Sequence, residues 1–276
     1  MPSNSKEILS LTGVRFFAVL MIFLFHYAER LPFDSVFLSA IFHQFYLGVQ
    51  VFFVLSGFVI CYKYFDESRI KKIFLFGYYL RRFAKIYPAF FCVVTATFII
   101  WHFKGAKTSS TLGIYLLNIT FLKGLSSKYY LTGIGPTWSL TVEEFFYFFA
   151  PFIFIYFKRK NFLFAQVPFW WVIGGIFVVI FAICPFEGFF TDSKFVYFTT
   201  FFGRCFEFYL GIWLALYITG KVKSQRLLYN KSVIPVYTIF GFVGMLLTIL
   251  LITKLSLFYA TPAAELWAGI FLTNII

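Results

Sequence analysis

The chain has 276 residues, of which 61% are hydrophobic, 25% aromatic and only 13% charged, with a mean hydropathy of +0.85. A soluble domain averages about 45–50% apolar and about 25% charged residues, so this chain lacks the charge to clothe a water-facing surface and reads as a polytopic membrane protein. Its net charge of +13 would point to nucleic acid in a soluble protein. In a membrane chain the cytoplasmic loops collect Lys and Arg, so no nucleic-acid partner is expected.

A spanning helix needs about 20 mostly apolar residues. In chain order the candidates are Ile8–Ala28, Phe45–Tyr64, Phe83–Phe103, Trp138–Phe157, Phe162–Ile183, Phe195–Ile218, Val233–Thr253 and Leu257–Ile276. Leu112–Leu122 is apolar but too short to cross, and reads as re-entrant or interfacial. The first segment carries an Arg and no small-residue cleavage site follows it, so a retained helix is expected rather than a signal peptide. The fold predicted from this pattern is an all-α transmembrane bundle of about eight spans, forming one integral membrane domain over residues 1–276. The last segment, LWAGIFLTNII, ends without flanking charge. Either it stops flush with the interface or the natural protein continues, and continuation is the expectation. The cysteines Cys61, Cys92, Cys184 and Cys205 form no CxxC pair, so they read as small core residues and no metal site is expected.

The basic residues set the orientation. Fifteen of the 24 Lys and Arg residues fall before the first span or in and beside the loops after the second, fourth and sixth, against seven in the alternate loops. Both ends of this chain are therefore expected on the cytoplasmic side.

The remaining two cations, Arg15 and Arg204, lie inside apolar spans. An ionisable side chain there costs about 2.5–3.5 kcal/mol on insertion scales, so it marks a function or a buried pair. In the first span, RFFAVLMIFLFH, Arg15 and His26 are eleven residues apart. That is roughly three helical turns, which puts both on one face about 16 Å apart along the axis. The plain alternative has Arg15 snorkelling to the inner headgroups and His26 at the interface.

The fourth span opens GPTWSLTVEEFFYFF, where Gly135-Pro136 breaks the chain and Ser139, Glu143 and Tyr147 recur every four residues on one face. Glu144 points about 100° away from Glu143, so the two carboxylates need different partners. Given the direction of this span, Glu143 is expected at the depth of His26. A carboxylate beside an imidazole fixes its tautomer and raises its basicity, as a general base requires. The alternative is a structural ion pair that holds helices together.

In the sixth span, GRCFEFYLGIWLALY, Arg204 and Glu207 are three apart and can pair within the helix, which explains these charges without chemistry. In the second span, YLGVQVFFVLSGFVI, Gly48, Ser56 and Gly57 read as small residues that let helices approach closely. Ahead of the third span, RRFAKIYP places Arg81, Arg82 and Lys85 just before Tyr87-Pro88. These cations serve either as cytoplasmic anchors or as a grip on a phosphorylated ligand, because bidentate Arg suits phosphate.

Together these stretches resemble the acyltransferase 3 family of integral membrane acyltransferases. The matching pieces run in the family's order from Arg15 to Ala215: the Arg-x10-His of Arg15 and His26, GVQVFFVLSGFVI, RRFAKIYP, WSLTVEEFFYFF and RCFEFYLGIWLA. The resemblance implies a cytoplasmic acyl-CoA donor, usually acetyl-CoA, whose acyl group passes to a hydroxyl on the far side of the bacterial inner membrane. The implied partners are the lipid bilayer and a carbohydrate or lipid-linked glycan acceptor of the cell envelope. It further implies that Arg15 and His26 are required and that the basic cluster matters. Lys85 stands where the family usually has Arg, which keeps the charge but loses the planar fork. The family commonly has about ten spans of bilayer length, more than this chain supplies.

The residues fit a mechanism of that kind. The polar head of the donor would stay by Arg81, Arg82 and Lys85, while its thin pantetheine arm threads the Arg15–His26 face. His26, oriented by Glu143 or Glu144, would take the proton of the acceptor hydroxyl as it attacks the thioester. Ser139, Tyr147 or a backbone amide would stabilise the oxyanion. Arg204 and Glu207 remain secondary candidates. The rival is a secondary transporter or flippase, in which embedded Arg, His and Glu act as a proton relay. Transporters often carry inverted repeats with helices broken in matching positions, and the sequence shows no such repeat.

Overall fold

In the computed structural model, the residues described are 9–27, 36–66, 72–105, 112–160, 193–219 and 250. Among them every regular element is a helix. Four helical stretches are long and apolar enough to cross a membrane: Phe37–Tyr64, Phe74–Phe103, Gly135–Phe157 and Phe201–Ile218. Leu11–Tyr27 is a shorter apolar helix. The chain is thus a helical membrane protein. The expected spans Phe162–Ile183 and Leu257–Ile276, and all of Val233–Thr253 but residue 250, lie outside the described residues.

The chain divides into two compact units, Met1–Leu55 with Leu216–Ile276, and Ser56–Ala215. In the first, helix α1 (Leu9–Tyr27) is followed by α2 (Val36–His43), a 3-10 turn (Gln44–Leu47) and the start of α3 (Gly48–Tyr64). A Cβ at Gly48 would sit 2.7 Å from the Ala18 carbonyl oxygen and 2.9 Å from Ile22 Cγ1, so only glycine allows this approach of α1. The expectation of close packing holds there. Val14, Phe16, Phe17, Val19 and Phe23 are exposed on the other sides of α1, the apolar outward surface that lipid favours.

The second unit holds the rest of α3, then α4 (Lys72–Phe103), α5 (Leu112–Ile119), α6 (Trp138–Lys160), α7 (Ser193–Thr199) and most of α8 (Phe201–Ile218). Helix α4 runs for 32 residues through Pro88. Arg81 and Arg82, expected in a loop ahead of a span from Phe83, are therefore helical, as is Lys85. The charges lower local hydropathy, yet Arg, Lys and Leu are good helix formers, so the helix starts well before the apolar run does. The expected Phe195–Ile218 span is two helices that meet at Thr200.

Helix α6 buries Val142, Phe146, Ala150, Phe154 and Phe157, a stripe at helical period. Phe146 stacks on Phe208 of α8 with ring centroids 4.3 Å apart. Gly57 of α3 lies against the backbone of Phe208, where a Cβ would collide with the carbonyl. On α4, Phe90, Val94 and Phe98 pack against Ile114, Tyr115 and Ile119 of α5 and against Phe121, Ile134 and Leu140. Of the cysteines, Cys61 is buried and Cys205 half-buried, but Cys92 is exposed on α4 and so is not a core residue as expected. Its position on the helix turns it away from the Phe90, Val94 and Phe98 stripe. Cys184 lies outside the described residues.

The connector from α5 to α6 is bonded to itself. Lys123 Nζ donates to the carbonyls of Thr132 at 2.7 Å and Ile134 at 3.0 Å. Asn118 Nδ2 donates to the Ile114 carbonyl at 2.9 Å and to Thr132 Oγ1 at 3.3 Å. Thr141 Oγ1 of α6 donates to the Phe121 carbonyl at 2.8 Å. Phe121 itself has φ +61°, a left-handed conformation that a bulky residue adopts only when its surroundings enforce it.

Candidate active site

The start of α6 is a 3-10 turn, Gly135–Thr137, where Pro136 needs no partner for the N–H it lacks. Thr137 Oγ1 donates to the Ile134 carbonyl at 2.7 Å, and Ser139 Oγ donates to the Pro136 carbonyl at 3.0 Å. The Ser139 proton is thus held within the helix's own first turn. One and two turns further on, Glu143 and Tyr147 meet a residue of α3. Ser56 Oγ donates to Glu143 Oε1 at 2.6 Å and lies 3.4 Å from Tyr147 Oη. Its neighbours in sequence mark Ser56 as a packing residue. Gly57 fills that role against α8, while Ser56 supplies a hydroxyl to α6.

A second group surrounds Tyr64 at the C-terminal end of α3. Arg82 Nη2 of α4 donates to Tyr64 Oη at 3.1 Å. The Arg82 guanidinium stands 5.3 Å from the centre of the Tyr64 ring and 5.8 Å from that of Tyr147, so it links the two groups. Arg81 and Lys63 lie 5.5 Å and 5.6 Å from the Tyr64 ring. Tyr78 meets Tyr64 edge to face at 5.0 Å. Among the described residues, Arg82 Nε and the Tyr78 hydroxyl are buried with no hydrogen-bond partner. Glu144 is within electrostatic reach of Arg82 and of Glu143. Lys85, one turn beyond Arg81, is exposed.

Arg204 and Glu207 form the expected pair on α8, with 2.9 Å between Nη1 and Oε1. Arg204 Nε also donates to the Phe198 carbonyl at 2.7 Å, and its guanidinium lies 5.7 Å from the Phe198 ring. The two charges neutralise each other locally, although Glu207 Oε2 is buried without a hydrogen-bond partner among the described residues.

Arg15 and His26 belong to the first unit, on α1. Arg15 is half-buried and His26 exposed, with the Phe25 ring 5.1 Å from the imidazole. Arg15, Ala18, Ile22 and His26 follow one helical stripe, and the middle of that stripe is the part packed on Gly48. The structure therefore brings Glu143 and Tyr147 together through Ser56, sets Arg82 beside Tyr147, and joins Arg204 to Glu207. The residues that sequence reasoning missed are Ser56, Tyr64 and Tyr78. A hydroxyl on a face already expected to meet another helix was the available signal for Ser56, since a buried hydroxyl must find a partner.

Comparison with known proteins adds the family. An acyltransferase domain model, that of acyltransferase 3, matches residues 8–275. The chain is similar to acyltransferase MdmB of Streptomyces mycarofaciens, 30% identical over 188 residues, which cover 64% of this chain and 46% of the relative. It is also similar to an uncharacterized protein of Haemophilus influenzae, 32% identical over 124 residues, covering 41% of this chain and 50% of that protein. The chain spans about half the length of these curated relatives. No solved structure matches it.

Proposed function

Because the chain belongs to the acyltransferase 3 family, we propose that it works as a membrane O-acyltransferase. It would move an acyl group, most simply acetyl, from cytoplasmic acyl-CoA to a hydroxyl of an envelope glycan across the bacterial inner membrane. The observation that carries this reading is the cation cluster at the end of α3. Lys63, Arg81 and Arg82 crowd one phenol ring within 5.6 Å of its centre, and Arg82 keeps a buried N–H without a partner. Like charges gathered round one ring repel, and an anionic group beside them would relieve the repulsion. The phosphates of coenzyme A supply such anions, with Lys85 as a further exposed contact. An anchoring role alone does not account for a half-buried guanidinium with a spare donor.

The pantetheine arm would follow the stripe of Arg15 and His26, about 16 Å long. His26 would accept the proton of the acceptor hydroxyl as its oxygen attacks the thioester carbonyl. The tetrahedral intermediate then expels the coenzyme A thiolate, which takes up a proton to leave as the thiol. Glu143 or Glu144 would orient the imidazole. The Ser139 proton is held by Pro136, and Tyr147 lies against Ser56, so either hydroxyl must leave its present partner to meet the oxyanion.

The test is mass analysis of envelope glycans from cells with the gene, without it, and with His26→Ala at equal protein level. The expected result is a lost increment of one acyl group in both altered strains. Unchanged acylation in the deletion strain contradicts the reading.

A further inference from the structure

Ser56 is the point where α3 and α6 exchange a polar contact. Its hydroxyl has one proton and two lone pairs. The proton goes to Glu143 Oε1 at 2.6 Å, within the range of O–H donors bound to a carboxylate. With that proton committed, the contact at 3.4 Å to Tyr147 runs from the phenol to the serine oxygen. Glu143 and Tyr147 lie one turn apart on a single helix, and Ser56 reaches them from another, so the three form a short chain with one direction.

The residues around it leave this hydroxyl no competing role. Gly57 already provides the close approach to Phe208, and a serine is not needed for packing beside it. The charged groups nearest the chain are Arg82 of α4 and Glu144 of α6, both within electrostatic reach of Tyr147. Tyr78 and Tyr64 line the same side from α4 and α3, and the Arg204–Glu207 pair on α8 is neutralised internally. In this setting the short bond from Ser56 fixes the direction in which Glu143 Oε1 points.

We propose that Ser56 is a positioning residue for acyl transfer: it holds the Glu143 carboxylate in one orientation and orders the Tyr147 hydroxyl behind it. This rests on the acyltransferase reading, in which Glu143 supports removal of the acceptor proton. No covalent step passes through Ser56.

The test is a double-mutant cycle in purified protein reconstituted into vesicles, read as acceptor-dependent thiol release from acetyl-CoA. Ser56→Ala is expected to lower kcat about ten- to a hundredfold, the scale of a lost hydrogen bond to a charged group, with KM for acetyl-CoA unchanged. Ser56→Thr, which restores the hydroxyl, is expected to recover most of the rate. In a Glu143→Gln background, adding Ser56→Ala is expected to change the rate less than twofold, because the group it positions is already altered. The proposal is overturned by a normal rate in Ser56→Ala, by equal losses in Ser56→Ala and Ser56→Thr, or by equal losses in the two backgrounds. The infrared carboxylate band that Glu143→Gln abolishes supplies a readout without turnover, and it is expected to shift in Ser56→Ala. An inactive wild-type protein with a shifted band defeats the acyl-transfer reading, and with it the role, while the contact stands. An unshifted band overturns the positioning itself.

Discussion

Two cations in the second unit leave water in opposite ways. Lys123, in the α5–α6 connector, is 1% exposed and gives two of its ammonium protons to the Thr132 and Ile134 carbonyls. Those carbonyls belong to the same short loop, so the lysine closes the connector on itself. Arg82, in α4, gives one bond to Tyr64 and keeps a buried Nε with no partner, with Lys63 and Arg81 near the same ring. Where a buried cation has its donors matched by fixed backbone, its role is complete in the folded chain. Where like charges converge and a donor is left over, the arrangement suits an anion of the kind proposed above.

Substituting each cation separates the two roles. Lys123→Met removes a donor from the Thr132 carbonyl, at about 1–3 kcal/mol, while the Ile134 carbonyl keeps the Thr137 N–H and hydroxyl. Its thermal unfolding in detergent is expected to reflect a loss of about 1–3 kcal/mol, with KM for acetyl-CoA unchanged in the folded fraction. A raised KM at normal stability would make Lys123 a ligand-binding residue and dissolve the contrast. Arg82→Gln is expected to do the reverse, raising KM for the donor about tenfold, worth about 1.4 kcal/mol, while the unfolding temperature changes little. A large stability loss with normal KM would place Arg82 with Lys123.

The smallest effect is on pH. Burial pushes the Lys123 ammonium down from its ordinary 10.5 to about 8. The unfolded chain then holds more protons than the folded one between these values, so stability is expected to rise with pH from about 8 to about 10. The check is the pH dependence of the unfolding midpoint in wild type minus that in Lys123→Met. A difference that falls over this range contradicts the burial argument.

Much of this architecture is legible in the residues themselves. Apolar runs at Trp138–Phe157 and Phe195–Ile218 correspond to α6 and the α7–α8 pair, and the run at Ile8–Ala28 to the shorter α1, because lipid demands apolar helices whatever their neighbours. The Arg204–Glu207 pair was equally plain, since spacing within one helix fixes which side chains meet. Contacts between helices are a different matter. Nothing in VFFVLSGFVI indicates that Ser56 meets Glu143 rather than another helix, 87 residues being the separation between them. The early start of α4 was hidden because Arg81, Arg82 and Lys85 interrupt hydropathy without interrupting helix formation. Lys123 reads as an exposed loop cation until the Thr132 and Ile134 carbonyls fold back onto it.

We propose that His26 and the cation cluster around Tyr64 serve one reaction, acyl transfer from coenzyme A to an acceptor hydroxyl. Its most direct measurement is acceptor-dependent release of coenzyme A thiol from acetyl-CoA by the reconstituted protein, wild type against His26→Ala. On this reading the wild type releases thiol and the variant loses at least about a hundredfold at equal protein level, the scale of a removed general base. Equal release by both proteins would contradict it.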